Sequence, residues 1–333
     1  AYAAMGSSKT AIYPPEEKMN KPLPKDVTGP NGFGKQWRNA QGLNIYSYFW
    51  PAENPKGIAV LVHGHGSYTI FEWLASTGTP GLERVYNNSW VEELNKQGFS
   101  CCGMDVQSMG RSESVRGVQS YFDDFQDLVD DLGQFTKEKI PELGGEKFSS
   151  DLPKFIFGVS MGGCLSSTFV LQNPDVFKAA ILLAPMLSLE RVSQEGLNPY
   201  LKPLADFMAK VAPTARLAKT PKNEKFPHLQ IEFEQDPHCD ARFTRVKVAS
   251  IYLKTTTRLL KSLGDFKTPF ITFHSSEDTF VDPESSQKLV ERAGSAKKEY
   301  VKADGMWHLL VHEKGNRKLL ERSLKFVEEV MSG

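Results

Sequence analysis

Lys154-Phe155-Ile156-Phe157-Gly158-Val159-Ser160-Met161-Gly162-Gly163 is the stretch on which the reading of this 333-residue chain turns. An apolar run short enough for one buried strand ends in Gly-x-Ser-x-Gly and passes into a helix-compatible segment. That is the strand, sharp turn, helix context in which a serine nucleophile is presented. The demand is steric. A serine held in a strained turn needs glycines on either side, so that the neighbouring strand and the helix approach without Cβ clashes. Its hydroxyl then stands close to a helix N-terminus, where developing negative charge is favoured. A Gly-rich loop with a chance serine competes for the pentapeptide alone; the strand before it and Gly163 after it argue for the turn.

Outward from this turn, short apolar runs bounded by Gly, Pro or polar residues recur at Ile58–Val62, Phe99–Met104, Phe155–Val159 and Ala180–Leu183. Such runs fit strands buried on both faces of a parallel sheet. Between them lie segments with helical spacing, Trp90–Leu94 and the stripe Phe122, Phe125, Leu128, Val129, Leu132 and Phe135. Alternation of this kind implies right-handed crossovers. Ahead of the first run, Gln36–Asn39 and Leu43–Tyr48 flank the turn signal Gln41-Gly42 and read as a hairpin at a sheet edge. After Pro185 the rhythm breaks for about eighty residues. It returns at Pro269–His274 and near Tyr300–Val301, and ends in a helix with the stripe Leu320, Leu324, Val327 and Met331. The expected fold class is therefore α/β, a mostly parallel central sheet flanked by helices with an inserted helical cap. Residues 1–30, rich in Pro and Lys without periodicity, read as a loosely packed tail; 31–185 and 266–333 form the two parts of the core, and 186–265 the cap.

Composition narrows the partners. Forty Lys and Arg balance forty Asp and Glu, so no global field favours nucleic acid. Four cysteines, two of them adjacent as Cys101 and Cys102 on an expected strand, do not make a disulfide framework. No apolar run approaches the roughly 18–20 residues that span a bilayer, and no secretory signal is visible, so the chain reads as soluble and cytoplasmic. No repeat or charged tail suggests a scaffold or an obligate protein partner.

A serine hydroxyl is a weak nucleophile and needs a positioned base, itself oriented by an acid, in the chain order Ser, Asp or Glu, His. His308, in Asp304-Gly305-Met306-Trp307-His308 after the last strand, is the base; His312 is its rival, closer to the final helix. The acid belongs in the loop Ser275–Pro283. Asp282 stands before Pro283 where an N-cap is needed, Asp278 is free to reach His308, and Glu277 is the fallback. The tetrahedral oxyanion needs two backbone donors, assigned to the N–H groups of Met161 and of His65 in His63-Gly64-His65-Gly66. His63-x-His65 could instead hold a metal, but no further ligand cluster at suitable spacing accompanies it. No cofactor or metal is required.

These residues together resemble the monoacylglycerol lipase and lysophospholipase branch of the α/β-hydrolases, including plant caffeoylshikimate esterases and apicomplexan lysophospholipases. The resemblance rests on His63–Gly66, Gly158–Gly163, Leu183-Ala184-Pro185-Met186, Asp236-Pro237 with Cys239, Glu277-Asp278 through Asp282-Pro283, and Gly305–His308. It departs in two places. Asp105-Val106-Gln107-Ser108-Met109-Gly110-Arg111-Ser112 replaces Asp-x-x-Gly-His-Gly-x-Ser, so a histidine beside the site is missing. Tyr68–Asn88 is longer than in typical lipases, as an extra flap over the entrance would be.

The resemblance implies a cap that shapes an acyl pocket and touches membranes peripherally, with Cys239 at the pocket. Leu201, Leu204, Phe207, Met208 and Val211 fall on one helical stripe, which is more often packed core than membrane anchor; Leu204 and Met208 are the substrate-contacting candidates on it. The expected reaction is cleavage of a small carboxylic ester, a monoacylglycerol or a lysophospholipid, through an acyl-enzyme, with activity rising as pH passes roughly 6 to 7. A hydroxycinnamoyl-type esterase or an acyltransferase would use the same three residues. A hydrolase-fold receptor for a small ligand would need none of their spacings.

Overall fold

The computed structural model describes residues 13–191, 202–218 and 222–333. Its centre is an eight-stranded sheet in the order β1-β2-β4-β3-β5-β6-β9-β10. In chain order the strands are β1 (Phe33–Arg38), β2 (Asn44–Trp50), β3 (Gly57–Val62), β4 (Phe99–Met104), β5 (Lys154–Val159) and β6 (Ala179–Leu183). A small antiparallel pair, β7 (Arg216–Ala218) and β8 (Thr244–Arg245), lies outside the main sheet, which β9 (Phe270–His274) and β10 (Lys298–Lys302) complete. β1 and β2 form the expected antiparallel hairpin, and β2 also runs antiparallel to β4; every other pairing in the large sheet is parallel.

The continuous apolar runs have their reason in the burial. Every residue of β3, β4, β6 and β9 is buried, as two-sided covering of a parallel sheet requires. Apolar clusters lie on the two faces. One gathers Val60, Ile156 and Leu182 with Phe125, Leu128 and Leu132 of helix Phe125–Gln134; the other gathers Leu61, Phe157 and Leu183 with Leu320, Phe326 and Val327 of helix Asn316–Ser332. Successive strand residues alternate between the two clusters, the period-two geometry of a strand. Helix Phe125–Gln134 starts at Asp124, whose side chain accepts the Gln126 N–H, so Phe122 of the expected stripe packs just before the helix.

Two parts of the chain are built differently from the sequence expectation. Within the segment read as a loose tail, Glu16–Asn20 and Lys25–Thr28 are short helices; Val27 is buried, and its carbonyl accepts the Trp50 indole N–H. On helix Lys202–Val211, Phe207 and Val211 are 58% and 57% exposed, so the stripe is not simply packed core. Leu201 and the side chain of Leu204 lie outside the described residues.

Between β6 and β9 the chain forms helices Lys202–Val211, Pro227–Gln235 and Val246–Lys261 with the β7–β8 pair. The segment Tyr68–Asn88 is pinned to this region. Ser76 and Arg84 both bond Glu232 of helix Pro227–Gln235, at 2.9 and 2.8 Å, and Phe71 packs edge-on against Phe233.

Candidate active site

Ser160 sits between β5 and helix Met161–Gln172 with φ +52° and ψ −117°, a left-handed conformation that a residue with a Cβ adopts at a cost. The surroundings enforce it. The Ser160 N–H donates to Leu183 O and its carbonyl accepts from Met186 N–H, locking the turn to the end of β6. A Cβ on Gly162 would lie 2.4 Å from the Val62 carbonyl oxygen and 2.6 Å from that of His63; one on Gly163 would meet Pro185 at 2.6 Å. Glycine is thus required where the elbow helix presses on the end of β3 and its following loop.

That loop carries His63 to Gly66. His63 is buried with both ring nitrogens engaged: Nε2 accepts the Val106 N–H at 2.9 Å, so Nδ1 carries the proton it donates to Gly64 O at 2.8 Å. A ring so occupied has no lone pair for a metal. His65 Nδ1 lies 2.7 Å from the Tyr252 hydroxyl, and burial lowers its pKa to about 4. Among the described residues no three His, Cys, Asp or Glu side chains group as metal ligands. Among the described residues the backbone N–H groups of His65 and Met161 donate to no backbone carbonyl outside the helices and strands.

The loop after β9 brings Asp278 to His308. Asp278 Oδ2 accepts from His308 Nδ1 at 2.7 Å and from His274 Nε2 at 3.0 Å, while Oδ1 accepts the N–H groups of Phe280 and Val281 at 2.7 and 3.2 Å. Burial alone would raise its pKa, but His308 and His274, through charge and hydrogen bonds, hold it well below the usual carboxylate range. Burial opposes the charge on His308, yet Asp278, with help from Glu313 and Glu72, raises its pKa above the ordinary imidazole value. The other nominees face elsewhere. Glu277 is ion-paired with Lys225 at 2.7 Å. His312 Nδ1 lies 3.0 Å from the Arg84 guanidinium. Asp282 is not the N-cap residue, which is Pro283; its carboxylate accepts from the Ser188 hydroxyl and the Arg191 N–H, tying the segment after β6 to the loop after β9.

Ser160 and His308 line one cavity, together with Gly64, His65, Phe71, Glu72, Leu229, Phe233, Phe243, Phe280, Trp307 and Leu309. The Ser160 hydroxyl makes no hydrogen bond to His308 among the described residues; such contacts are often long without substrate. Two of the residues nominated for substrate contact are not among the lining residues. Cys239 packs against the core cluster that holds Tyr68 and Phe71, and neither it nor half-buried Met208 is part of the cavity wall. The Leu204 side chain lies outside the described residues. Met109, at the position of the missing histidine, is buried in the core.

Several site residues carry no motif that would announce them. His274, at the end of β9, bonds Asp278 on one side and the Ser286 hydroxyl on the other at 2.7 Å. Glu313 accepts the N–H groups of Trp307, His308 and Leu309 at 2.5, 3.0 and 2.7 Å, fixing the loop that holds the histidine. Glu72 accepts the Gly64 N–H at 3.1 Å.

Comparison with known proteins adds an independent line. A family model described as "Serine aminopeptidase, S33" matches residues 81–315, well over half of the chain. The monoglyceride lipase of Rattus norvegicus is 23% identical over 277 residues, 83% of either chain. The caffeoylshikimate esterase of Arabidopsis thaliana is 26% identical over 262 residues, 77% of this chain and 72% of that one. A crystal structure of a soluble monoglyceride lipase variant from Saccharomyces cerevisiae with a substrate analog superposes with a TM-score of 0.72 at 19% identity. It covers 93% of this chain and 98% of that one.

Proposed function

The chain belongs to the serine aminopeptidase S33 family of α/β-hydrolases, and from that premise we propose that it cleaves carboxylic esters of the monoacylglycerol or lysophospholipid type. The observation that carries the reading is the 2.7 Å contact between His308 Nδ1 and Asp278 Oδ2, at a cavity that Ser160 shares. With Nδ1 donating to a carboxylate, Nε2 is the nitrogen left to take a proton. Ser160 attacks the ester carbonyl as His308 takes its proton; the carbonyl oxygen is held by the N–H groups of His65 and Met161, each worth about 3 kcal/mol of barrier. Collapse expels the alcohol, protonated by His308, and leaves the acyl group on Ser160. Water repeats the sequence in reverse roles.

The apolar wall of Phe71, Leu229, Phe233, Phe243 and Leu309 suits an acyl chain, each buried methylene contributing about 0.8 kcal/mol. Exposed Phe207, Val211, Leu217 and Phe243 in the region between β6 and β9 support docking of that cap on a lipid surface from which such an ester is drawn. Among the described residues no helix is long and apolar enough to cross a membrane. A hydroxycinnamoyl ester is the second reading, favoured by the Arabidopsis relative and by the rings of Phe280 and Trp307, 4.5 Å apart in the cavity wall.

The test is hydrolysis of a matched panel of glycerol, lysophospholipid and hydroxycinnamoyl esters by the purified chain. Preference for the fatty-acyl esters supports the first reading. Preference for the hydroxycinnamoyl ester replaces it with the second, and no turnover of any ester overturns both.

A further inference from the structure

Two carboxylates that the ester chemistry leaves without a task line the cavity: Asp240, ion-paired with Arg216 and Arg242, and Glu72. Glu72 belongs to helix Thr69–Trp73, is 3% exposed, and lines the cavity beside Ser160 and His308. Its Oε2 accepts the Gly64 N–H. A Cβ placed on Gly64 would stand 3.3 Å from that oxygen and 3.4 Å from Ser160 Cβ, so carboxylate and nucleophile both abut this one residue. Among the described residues Glu72 has no ion-pair partner, and the Arg84 guanidinium is committed to Glu232 and His312. A buried carboxylate without a counter-ion is costly unless hydrogen bonds satisfy it. Much of the wall around it is apolar, including Phe71, Phe280, Trp307 and Leu309, and cannot supply those bonds; the two cations of the wall, Lys222 and Arg242, are ion-paired with Glu234 and Asp240.

The side of the ester that Glu72 meets follows from the proton's route. His308 hands its proton to the departing alcohol, so groups near His308 border the alcohol half. Glu72 and His308 line the same cavity, and the Glu72 carboxylate stands across Gly64 from Ser160.

We propose, resting on the ester-hydrolase reading, that Glu72 selects the alcohol half of the substrate. Its second oxygen, Oε1, accepts hydrogen bonds from hydroxyls on that alcohol, so esters of neutral polyols are preferred and alcohols bearing a phosphate are disfavoured by the same charge. Charge-assisted hydrogen bonds are stronger than neutral ones, and like charges brought together without water repel strongly. Glu72 is thereby a specificity residue, and its two oxygens divide the work: one steadies the Gly64 loop, the other reads the leaving group.

The test compares the wild-type chain with E72Q, which keeps the size and one acceptor oxygen for Gly64, and with E72A. Three esters of one fatty acid are presented in identical mixed micelles: the glycerol monoester, the ethyl ester and the glycerol-3-phosphate monoester. The expected result for E72Q is a fall of about tenfold in kcat/KM on the glycerol ester, mostly through KM, and a rise of several-fold, about 3 to 10, on the phosphate ester. The ethyl ester changes by less than about threefold, since it offers Glu72 no hydroxyl. E72A shows the same ordering on a lower baseline. A parallel fall on all three esters would mean that Glu72 merely holds the loop, and no change on any would mean that it does not meet the substrate; either overturns the proposal. Wild-type cleavage of an aminoacyl anilide that E72Q abolishes would reassign the carboxylate to an α-ammonium and overturn it as well. Failure of the ester reading itself shows differently, as a wild-type chain that turns over none of the three.

Discussion

Replacing Asp278 by Asn exchanges one carboxylate oxygen for an NH₂ group and should nearly abolish turnover. Oδ1 accepts two backbone N–H groups, from Phe280 and Val281, so the new amide keeps its oxygen there and presents its NH₂ at the Oδ2 position. That NH₂ then faces His308 Nδ1 at 2.7 Å and His274 Nε2 at 3.0 Å, both of which had been donors. His274 can adapt by moving its proton to Nδ1, where the Ser286 hydroxyl turns to accept it. His308 can adapt only by carrying its proton on Nε2, the nitrogen that must be empty to deprotonate Ser160. The same substitution in a serine-protease triad lowers kcat by about 10⁴, or about 5.5 kcal/mol of barrier. A loss of that order, with KM little changed, is expected here. Losing two charge-assisted bonds costs about 2–4 kcal/mol of stability, lowering Tm by several degrees while the fold survives. Steady-state kinetics on the preferred ester and a thermal melt read both effects. A D278N variant retaining more than about a tenth of wild-type kcat, alongside collapse in Glu277→Gln, would refute the reasoning.

Other outcomes follow from the same contacts. Because Asp278 raises the His308 pKa against the effect of burial, the acid limb of kcat/KM should lie above the ordinary imidazole value of about 6.5; a limb below it would contradict the pairing. For stability the signs differ. The His308 contribution is present below about pH 6.5 and is lost as pH rises through its elevated folded value; that of Asp278 is present above about pH 3.9 and is lost as pH falls through its depressed one. Melts across pH should therefore show a decline on both sides from this pair. Gly162→Ala forces a Cβ into the Val62 and His63 carbonyls; a loss of about 1–3 kcal/mol in stability is expected, with activity down about 10²-fold as the oxyanion loop moves. Glu313→Ala strands three N–H groups and should lower Tm more than Glu313→Gln, which keeps one acceptor; equal effects would mean that the carboxylate's charge, not its acceptors, matters.

The sheet could be read from the sequence because its strands are buried on both faces, so β3 and β5 appear as unbroken apolar runs whose order and spacing survive without any knowledge of packing. The Ser160 turn was legible for a similar reason: the steric demand falls on glycines that neighbour it in sequence. His274, Glu313 and Glu72 were not. Each acts through backbone N–H groups or a side chain brought in by tertiary folding, and a lone buried acid or imidazole leaves no periodic trace. Cys239 was nominated as a pocket residue on family likeness and Met208 on its helical stripe, but Cys239 is half-buried against the core cluster and neither is among the residues lining the cavity that Ser160 and His308 share. Apolar spacing on a helix reports which residues share a face and is silent about what that face meets.

Labelling with a fluorophosphonate bears most directly on whether this arrangement of side chains carries out acyl transfer. After digestion and mass spectrometry, a single stoichiometric adduct is expected on the peptide containing residue 160. That adduct should be absent in Ser160→Ala and formed much more slowly in D278N. An adduct on another serine, or undiminished labelling of Ser160→Ala, would contradict the account.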